Sequence, residues 1–341
     1  MRAVYQGKKT IEFERDIIPE LKDDELLIKV TGCGVCGTDV HIYNGEISVA
    51  EPPVVIGHEI TGIVENTGKD VKDINSGTPV AVDPVIPCRT CYYCRSGKPN
   101  LCDNLAVIGY HLDGGFERYT KAPRSQVYPL SENVSAKGRI LVEPAACVIN
   151  GYDKLDMKPG STVLVLGAGP IGLIWLQLLK HSPVKLIVQT DIVEMRCKKA
   201  NELGADIVLN RAESDLKEFT AKNFKEGFDI VIDATGDPKA VEEGIELTAK
   251  MGTMMIFGLT PQGSTVSFEP LKVYDREMRI ISSKMPPLTL ERAVRLIESG
   301  KIDYEKIVSH TFPLEKLPEA LDMFENGKDK VLKMLIDPWM E

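Results

Sequence analysis

The chain has 341 residues, 43% hydrophobic and 27% charged, which is ordinary globular composition with room for two domains, each with a sizeable core. A formal net charge of −9 leaves no basic footprint for nucleic acid. MRAVYQGKK at the start lacks the apolar core of a secretory signal. The longest apolar stretch, Ser161–Leu179, is broken by Gly167, Ala168, Gly169, Pro170 and Gly172, so it reads as strand, turn and helix rather than a membrane span.

Residues 1 to about 145 carry short β-like runs between Gly and Pro: Glu25–Thr31, Glu59–Glu65, Thr78–Val82 and Phe116–Lys121. Many short strands joined by turns predict a partly closed β-barrel. Within this region Cys88, Cys91, Cys94 and Cys102 form a Cys-x2-Cys-x2-Cys-x7-Cys run. Four thiolates so close together suit a closed tetrahedral Zn²⁺ site with no position left for chemistry. Disulfides do not fit a chain without a secretory signal, and the usual iron–sulfur spacings differ from this one. The eight cysteines therefore read as one metal cluster plus scattered thiols, and the compartment as reducing cytoplasm.

From about Pro144 the texture changes to strand–helix alternation. Strands are predicted at Thr162–Leu166, Leu186–Asp191, Ile207–Leu209, Asp229–Asp233 and Thr253–Phe257, and helices at Ile171–His181, Glu194–Leu203 and Ala240–Lys250. That order predicts a doubly wound parallel sheet with helices on both faces. Gly167-Ala168-Gly169-Pro170-Ile171-Gly172 follows the strand VLVL and opens a helix. Its glycines allow a tight turn and let the backbone approach a pyrophosphate at the helix N-terminus. Asp191, 19 residues past Gly172, is placed to bind the adenosine ribose hydroxyls. A carboxylate there repels a 2′-phosphate, which favours NAD over NADP. Arg196 is the nearby cation able to soften that preference or to stack on the adenine. The C-terminal stretch holds an amphipathic helix near Leu290–Glu298 and a last strand at Val331–Ile336. With no repeat or low-complexity linker, the expectation is two closely packed domains with a cleft between them.

Cys36, His58, Glu59 and Glu143 lie in the pieces Gly-Val-Cys-Gly-Thr-Asp, Gly-His-Glu and Val-Glu-Pro, and their spacing alone makes no motif. Seven pieces in order change that: GVCGTDVHIY, GHEITGIVENTG, the cysteine lobe, DGGFERY, EPAACV, GAGPIG and FPLEKLPEAL. On these the chain resembles zinc-dependent medium-chain alcohol and polyol dehydrogenases over essentially its whole length. The resemblance implies a GroES-like β-barrel catalytic domain, residues 1–145 with the zinc lobe at 88–102. A Rossmann domain at 146–284 would be inserted into it, with a return to the catalytic domain at 285–341. It further implies a catalytic zinc held by Cys36 and His58 with Glu59 or Glu143 as third protein ligand, and hence two zincs per chain.

In the implied mechanism zinc binds and acidifies the substrate hydroxyl, and its carbon gives hydride to NAD. Thr38 and His41 match the family's proton-relay positions, and Asp39 would brace the site. Phe116 and Lys284 are carried as substrate contacts. Homodimers or homotetramers are the family's habit. A carboxylate ligand with GHE resembles the sorbitol dehydrogenase branch, which implies a polyol or sugar-derived secondary alcohol. CGTDVHIYN also looks like threonine dehydrogenase, and GKPNLC with GYHLDGGF is similar to hexonate dehydrogenases. A NADH-binding regulator without turnover is the alternative of another class. Cys33, Cys147 and Cys197 read as buried packing.

Overall fold

A computed structural model describes residues 1–327 and 329–341. The chain divides into two compact units. One comprises Met1–Ala146, Met285–Gly300 and Tyr304–Glu341; the other comprises Cys147–Lys284 and Lys301–Asp303.

In the first unit a seven-stranded sheet runs Val127–Pro129, Pro79–Val82, Glu59–Thr67, Glu25–Val35, Lys333–Asp337, Val308–Pro313, with Tyr119–Pro123 also on the Glu25–Val35 strand. A smaller sheet joins Thr10–Glu14, Arg2–Gly7 and Val54–Val55. Glu25–Val35 is the organiser. One edge pairs with Glu59–Thr67, and register shifts at Leu27/Ile28 and Val30/Gly32 bend it. Its other edge pairs with Tyr119–Pro123 along Glu25–Lys29 and with the C-terminal strand along Cys33–Val35. The end of this strand is thereby flanked by Glu59 on one side and by the start of the C-terminal strand on the other. Leu26, Ile28, Ile60, Val80, Phe116, Leu321 and Ile336 close the core beneath, each with about 0–2% of its surface exposed. Complete burial of such a side chain contributes about 1.5–3 kcal/mol.

The second unit holds a six-stranded, wholly parallel sheet in the order Ile207–Asn210, Leu186–Asp191, Thr162–Leu166, Phe228–Asp233, Thr248–Ile256, Arg279–Ser282. Numbered along the chain this is 3-2-1-4-5-6, the dinucleotide-binding order, whose direction reverses at the strand that leads into the glycine loop. The helix after that loop, Pro170–Lys180, buries Leu173, Trp175, Leu176 and Leu179, with Trp175 edge-on to Phe257 at 5.4 Å.

Several predicted bounds need correction. The helix expected over Ala240–Lys250 spans Pro238–Leu247, capped by the Asp237 carboxylate on the Lys239 N–H. It stops where Thr248 Oγ1 donates back to the Gly244 carbonyl and a strand begins. The strand expected at Phe116–Lys121 is Tyr119–Pro123, because Phe116 turns its ring into the core and Glu117 only bridges to Arg2. The last strand is Lys333–Asp337.

Candidate metal centres and nucleotide site

The sulfurs of Cys88, Cys91, Cys94 and Cys102 all lie within 4.8 Å of one another. Backbone N–H groups point at them: Cys88 and Asn104 donate to Cys102 Sγ at 3.2 and 3.3 Å, and Cys91 donates to Cys88 Sγ at 3.4 Å. Such donors stabilise thiolates. The Thr90 hydroxyl and the backbone N–H groups of Thr90 and Cys91 hold the Cys88 thiol well below its usual range. All eight cysteines are free thiols. Four converging, pre-stabilised sulfurs fit a closed tetrahedral zinc.

A second donor set sits at the end of the Glu25–Val35 strand. Cys36, His58 and Glu59 each offer a donor atom within 4.8 Å of the others. Cys36 is the N-cap of the short helix Gly37–Tyr43, and the Asp39 carboxylate accepts its N–H at 2.9 Å. Asp39, fully buried, turns its other oxygen to His58 Nδ1 at 3.3 Å. That leaves Nε2 as the ring nitrogen available to a metal, the carboxylate–histidine arrangement that orients metal-binding imidazoles. Tyr110 meets the same ring edge-on at 5.2 Å.

Glu59 stands opposite Gly34 on the neighbouring strand, and a Cβ at Gly34 would lie 1.9 Å from Glu59 Oε2. Only glycine at 34 lets this carboxylate lie flat across the strand. His58 Nδ1, Asp39 Oδ1 and Glu59 Oε2 are buried atoms without a well-formed hydrogen bond. Orphaned buried donors and acceptors beside a thiol are what an open zinc site requires, so these residues fit the ion.

Glu143, in the first turn of the helix Val142–Tyr152, is 9% exposed and close enough to act electrostatically on Asp83 and Lys333. Burial raises the Asp83 carboxyl to about 7, with Glu143 adding to it. Thr38 Oγ1 lies 3.7 Å from Cys36 Sγ. His41 is half-buried, with Nδ1 2.5 Å from Glu46 Oε2.

Two residues of this region escaped the sequence reading. Glu46 is one. The other is Lys333, 3% exposed, which pairs with Glu59 and donates to the Val35 carbonyl at 3.0 Å. Burial opposes its ammonium, but Glu59, Cys36 and Glu143 outweigh that and raise its pKa. A lone Lys inside the apolar run VLKMLI was the available signal. Phe116 lies in the core with its ring against Gly57, which gives it a packing role rather than the expected substrate contact.

In the second unit the glycine loop behaves as its spacing predicts. Gly167 has φ +99°, and a Cβ on Gly172 would lie 2.0 Å from the Gly167 carbonyl oxygen, so the helix can pack this close only with glycine there. At Gly169 the Cβ position is open, with only Arg196 Nη1 within reach at 3.9 Å. The helix Pro170–Lys180 starts there with Pro170 at its first position, followed by Ile171. Open space at a helix N-terminus beside a guanidinium is a cradle that fits a pyrophosphate. Asp191 ends the adjacent strand, 8% exposed, and accepts from the N–H groups of Ala168 at 2.7 Å and Val193 at 2.9 Å. Lys284 is exposed, and its carbonyl accepts from the Asn150 side-chain amide at 3.3 Å.

A glycine-loop parallel sheet, together with two thiolate-containing zinc donor sets, defines a zinc-dependent nicotinamide oxidoreductase. Residues 22–132 match the alcohol dehydrogenase GroES-like domain, and residues 170–299 match the zinc-binding dehydrogenase domain. The chain belongs to the zinc-dependent medium-chain alcohol and polyol dehydrogenase family.

D-arabinitol dehydrogenase 1 of Uromyces fabae is 33% identical over 344 residues, covering 99% of this chain and 97% of that protein. A solved zinc-binding dehydrogenase of Sinorhizobium meliloti 1021, bound to NADP, is 34% identical with a TM-score of 0.95, covering 99% of this chain and 98% of that one. The rspB alcohol dehydrogenase of Escherichia coli CFT073, complexed with NADH, is 31% identical with a TM-score of 0.92 and 98% coverage of both chains. The fold is thus a GroES-like domain with a Rossmann domain, and the protein is an oxidoreductase that uses zinc and a nicotinamide dinucleotide on alcohols.

Proposed function

We propose that the chain oxidises a secondary hydroxyl of a polyol or sugar-derived alcohol with NAD. The observation that carries this reading is the convergence of Cys36, His58 and a carboxylate in one partly orphaned donor set. The polyol class is supported by the D-arabinitol dehydrogenase relative. When bound, zinc supplies Lewis-acid activation of the hydroxyl and the nicotinamide accepts the hydride.

Every other task falls to this chain's side chains. Cys36 and His58 hold the metal, with Glu59 or Glu143 as the third ligand, and Asp39 holds His58. Thr38 orients the substrate oxygen and passes its proton toward His41, and Glu46 steadies the His41 ring. Gly167, Gly169 and Gly172 admit the pyrophosphate, and Asp191 receives the adenosine ribose and favours NAD. Cys88, Cys91, Cys94 and Cys102 hold the second zinc. Free thiols throughout suit the cytoplasm. The edge strand Arg279–Ser282 lies in the same unit as the exposed Leu271, Tyr274 and Met251, and these support a homodimer or homotetramer.

The test is NADH formation by the zinc-loaded protein on sorbitol, xylitol, galactitol, arabinitol, hexonates and L-threonine, each with a chelator control. A chelator-sensitive signal on the polyols supports the reading. Turnover confined to L-threonine or to hexonates overturns the substrate class, and silence on all of them with two zincs bound favours a regulator.

A further inference from the structure

Glu59 faces two cations that exclude each other. One is the metal that its donor set fits; the other is Lys333, whose side chain is 4% exposed against 2% for Glu59. The ammonium is fixed in place. It begins the C-terminal strand, beside the end of the Glu25–Val35 strand, and donates to the Val35 carbonyl at 3.0 Å while pairing with Glu59. Gly34 supplies the floor on which this pair rests, for its Cβ would lie 1.9 Å from Glu59 Oε2 and 3.1 Å from Lys333 Cε. Sealed away from water, neither charge has solvent as an alternative partner, so each leans on whatever opposite charge adjoins it.

We propose that Lys333 is a positioning residue for the metal centre: its ammonium shares the Glu59 carboxylate with the ion and keeps Glu59 an exchangeable ligand. With Lys333 present, Glu59 can leave the metal without becoming a buried unpaired charge. Without Lys333 the metal is the nearby cation left to it, and the carboxylate stays on the ion. This rests on the reading that Cys36, His58 and a carboxylate hold zinc.

The experiment follows zinc release from the zinc-loaded full chain into excess chromogenic chelator. The phase that belongs to this centre is identified as the one lost in Cys36→Ser. Lys333→Met should slow that phase by about tenfold or more, and Lys333→Arg should leave it within about threefold, as expected for a buried charge pair. The Glu59→Gln variant, and the double variant Glu59→Gln with Lys333→Met, should release zinc at the same rate, because Lys333 acts through Glu59. If Lys333→Met slows release equally in the Glu59→Gln background, Lys333 merely repels the ion and the inference is wrong. An unchanged Cys36-dependent phase in Lys333→Met overturns the inference alone, whereas absence of any Cys36-dependent phase removes the zinc reading beneath it. Should Lys333→Met not accumulate folded, Lys333→Gln, which keeps a donor but no charge, is read the same way.

Discussion

Asp191 Oδ2 accepts a hydrogen bond from the Ala168 N–H at 2.7 Å, so the acid placed for the ribose also fastens the glycine loop from the neighbouring strand. Its second oxygen holds the Val193 N–H at 2.9 Å, at the start of the next helix. The carboxylate has two duties: it keeps the loop in its binding shape, and it presents negative charge where a 2′-phosphate would lie. Asp191→Ser should therefore raise KM for NAD by about tenfold or more, the cost of losing hydrogen bonds to a charged group. It should also narrow the preference for NAD over NADP. Asp191→Asn, which keeps an acceptor for the loop, should lose cofactor discrimination with a smaller rise in KM. An unchanged ratio of kcat/KM for the two cofactors in both variants would count against the ribose role.

Glu46 and His41 are predicted to act as a unit. With Nδ1 facing Glu46 Oε2 at 2.5 Å, the ring is held so that Nε2 is the nitrogen left to take a proton. Glu46 is itself anchored: the Asn44 side-chain amide donates to its Oε1 at 3.3 Å and to Glu325 Oε1 at 2.9 Å. His41→Gln should lower kcat by about tenfold, at the modest end of general-base effects because the site is half-open to water. Glu46→Ala should reproduce part of that loss, and the double variant should be no slower than His41→Gln alone. Additive losses in steady-state kcat would show that the two residues act separately.

Much of this was legible in the sequence where the signal is local. The strands Thr162–Leu166 and Leu186–Asp191 and the helix Leu290–Glu298 have the bounds their periodicity predicts, because a parallel core strand and an amphipathic helix each write their period into consecutive residues. Four cysteines within fifteen residues are likewise a local pattern. The pairing of Glu59 with Lys333 spans 274 positions and has no period at all. It follows from which strand lies on each edge of Glu25–Val35, and no window of sequence holds that fact. Gly37–Tyr43 is seven residues long, too short for a helical repeat to emerge, and its start depends on the Asp39 cap rather than on an apolar face. Phe116 was drawn to the substrate by its neighbours in DGGFERY, yet the turn at Gly114 and Gly115 swings it inward.

The two metal centres should separate cleanly. Cys36→Ser is expected to bind one zinc in place of two and to lose turnover, while holding NADH nearly as tightly as the unaltered chain, since the glycine loop and Asp191 are untouched. Cys88→Ser should also bind one zinc, but its lesion is structural: the 88–102 lobe has few buried side chains of its own, with Tyr92 75% exposed and Leu101 39% exposed. Without the metal such a segment has little to fold around. Faster proteolysis within 88–102 and a lowered Tm are the expected readouts, with the remaining zinc still supporting some turnover. Elemental zinc analysis beside titration of NADH fluorescence checks both variants, and loss of both zincs in either one would mean that the centres are not independent.

Glu117 should give the protein a pH-dependent stability unrelated to catalysis. The side chain is 5% exposed, and burial pushes its carboxyl up to about 8 from an ordinary 4.5, although Arg2 Nε lies 3.4 Å away and works in the opposite direction. Arg2 is shared, because its Nη2 engages Asp113 at 2.5 Å, and Asp113 further disfavours a second negative charge. Between those two pH values the folded chain keeps a proton that the unfolded chain has released. Stability from this group is therefore complete below about pH 4.5 and is lost as pH rises through about 8. Glutamine imitates the protonated acid and has no proton to lose. Glu117→Gln should match the unaltered protein near pH 5 and exceed it at pH 9 by on the order of 1–3 kcal/mol, given about 1.4 kcal/mol per pKa unit and partial relaxation of the site. Tm measured across pH 5–9 for both proteins gives the answer: curves that diverge with rising pH support the buried neutral acid, and parallel curves mean that Arg2 keeps Glu117 ionised throughout.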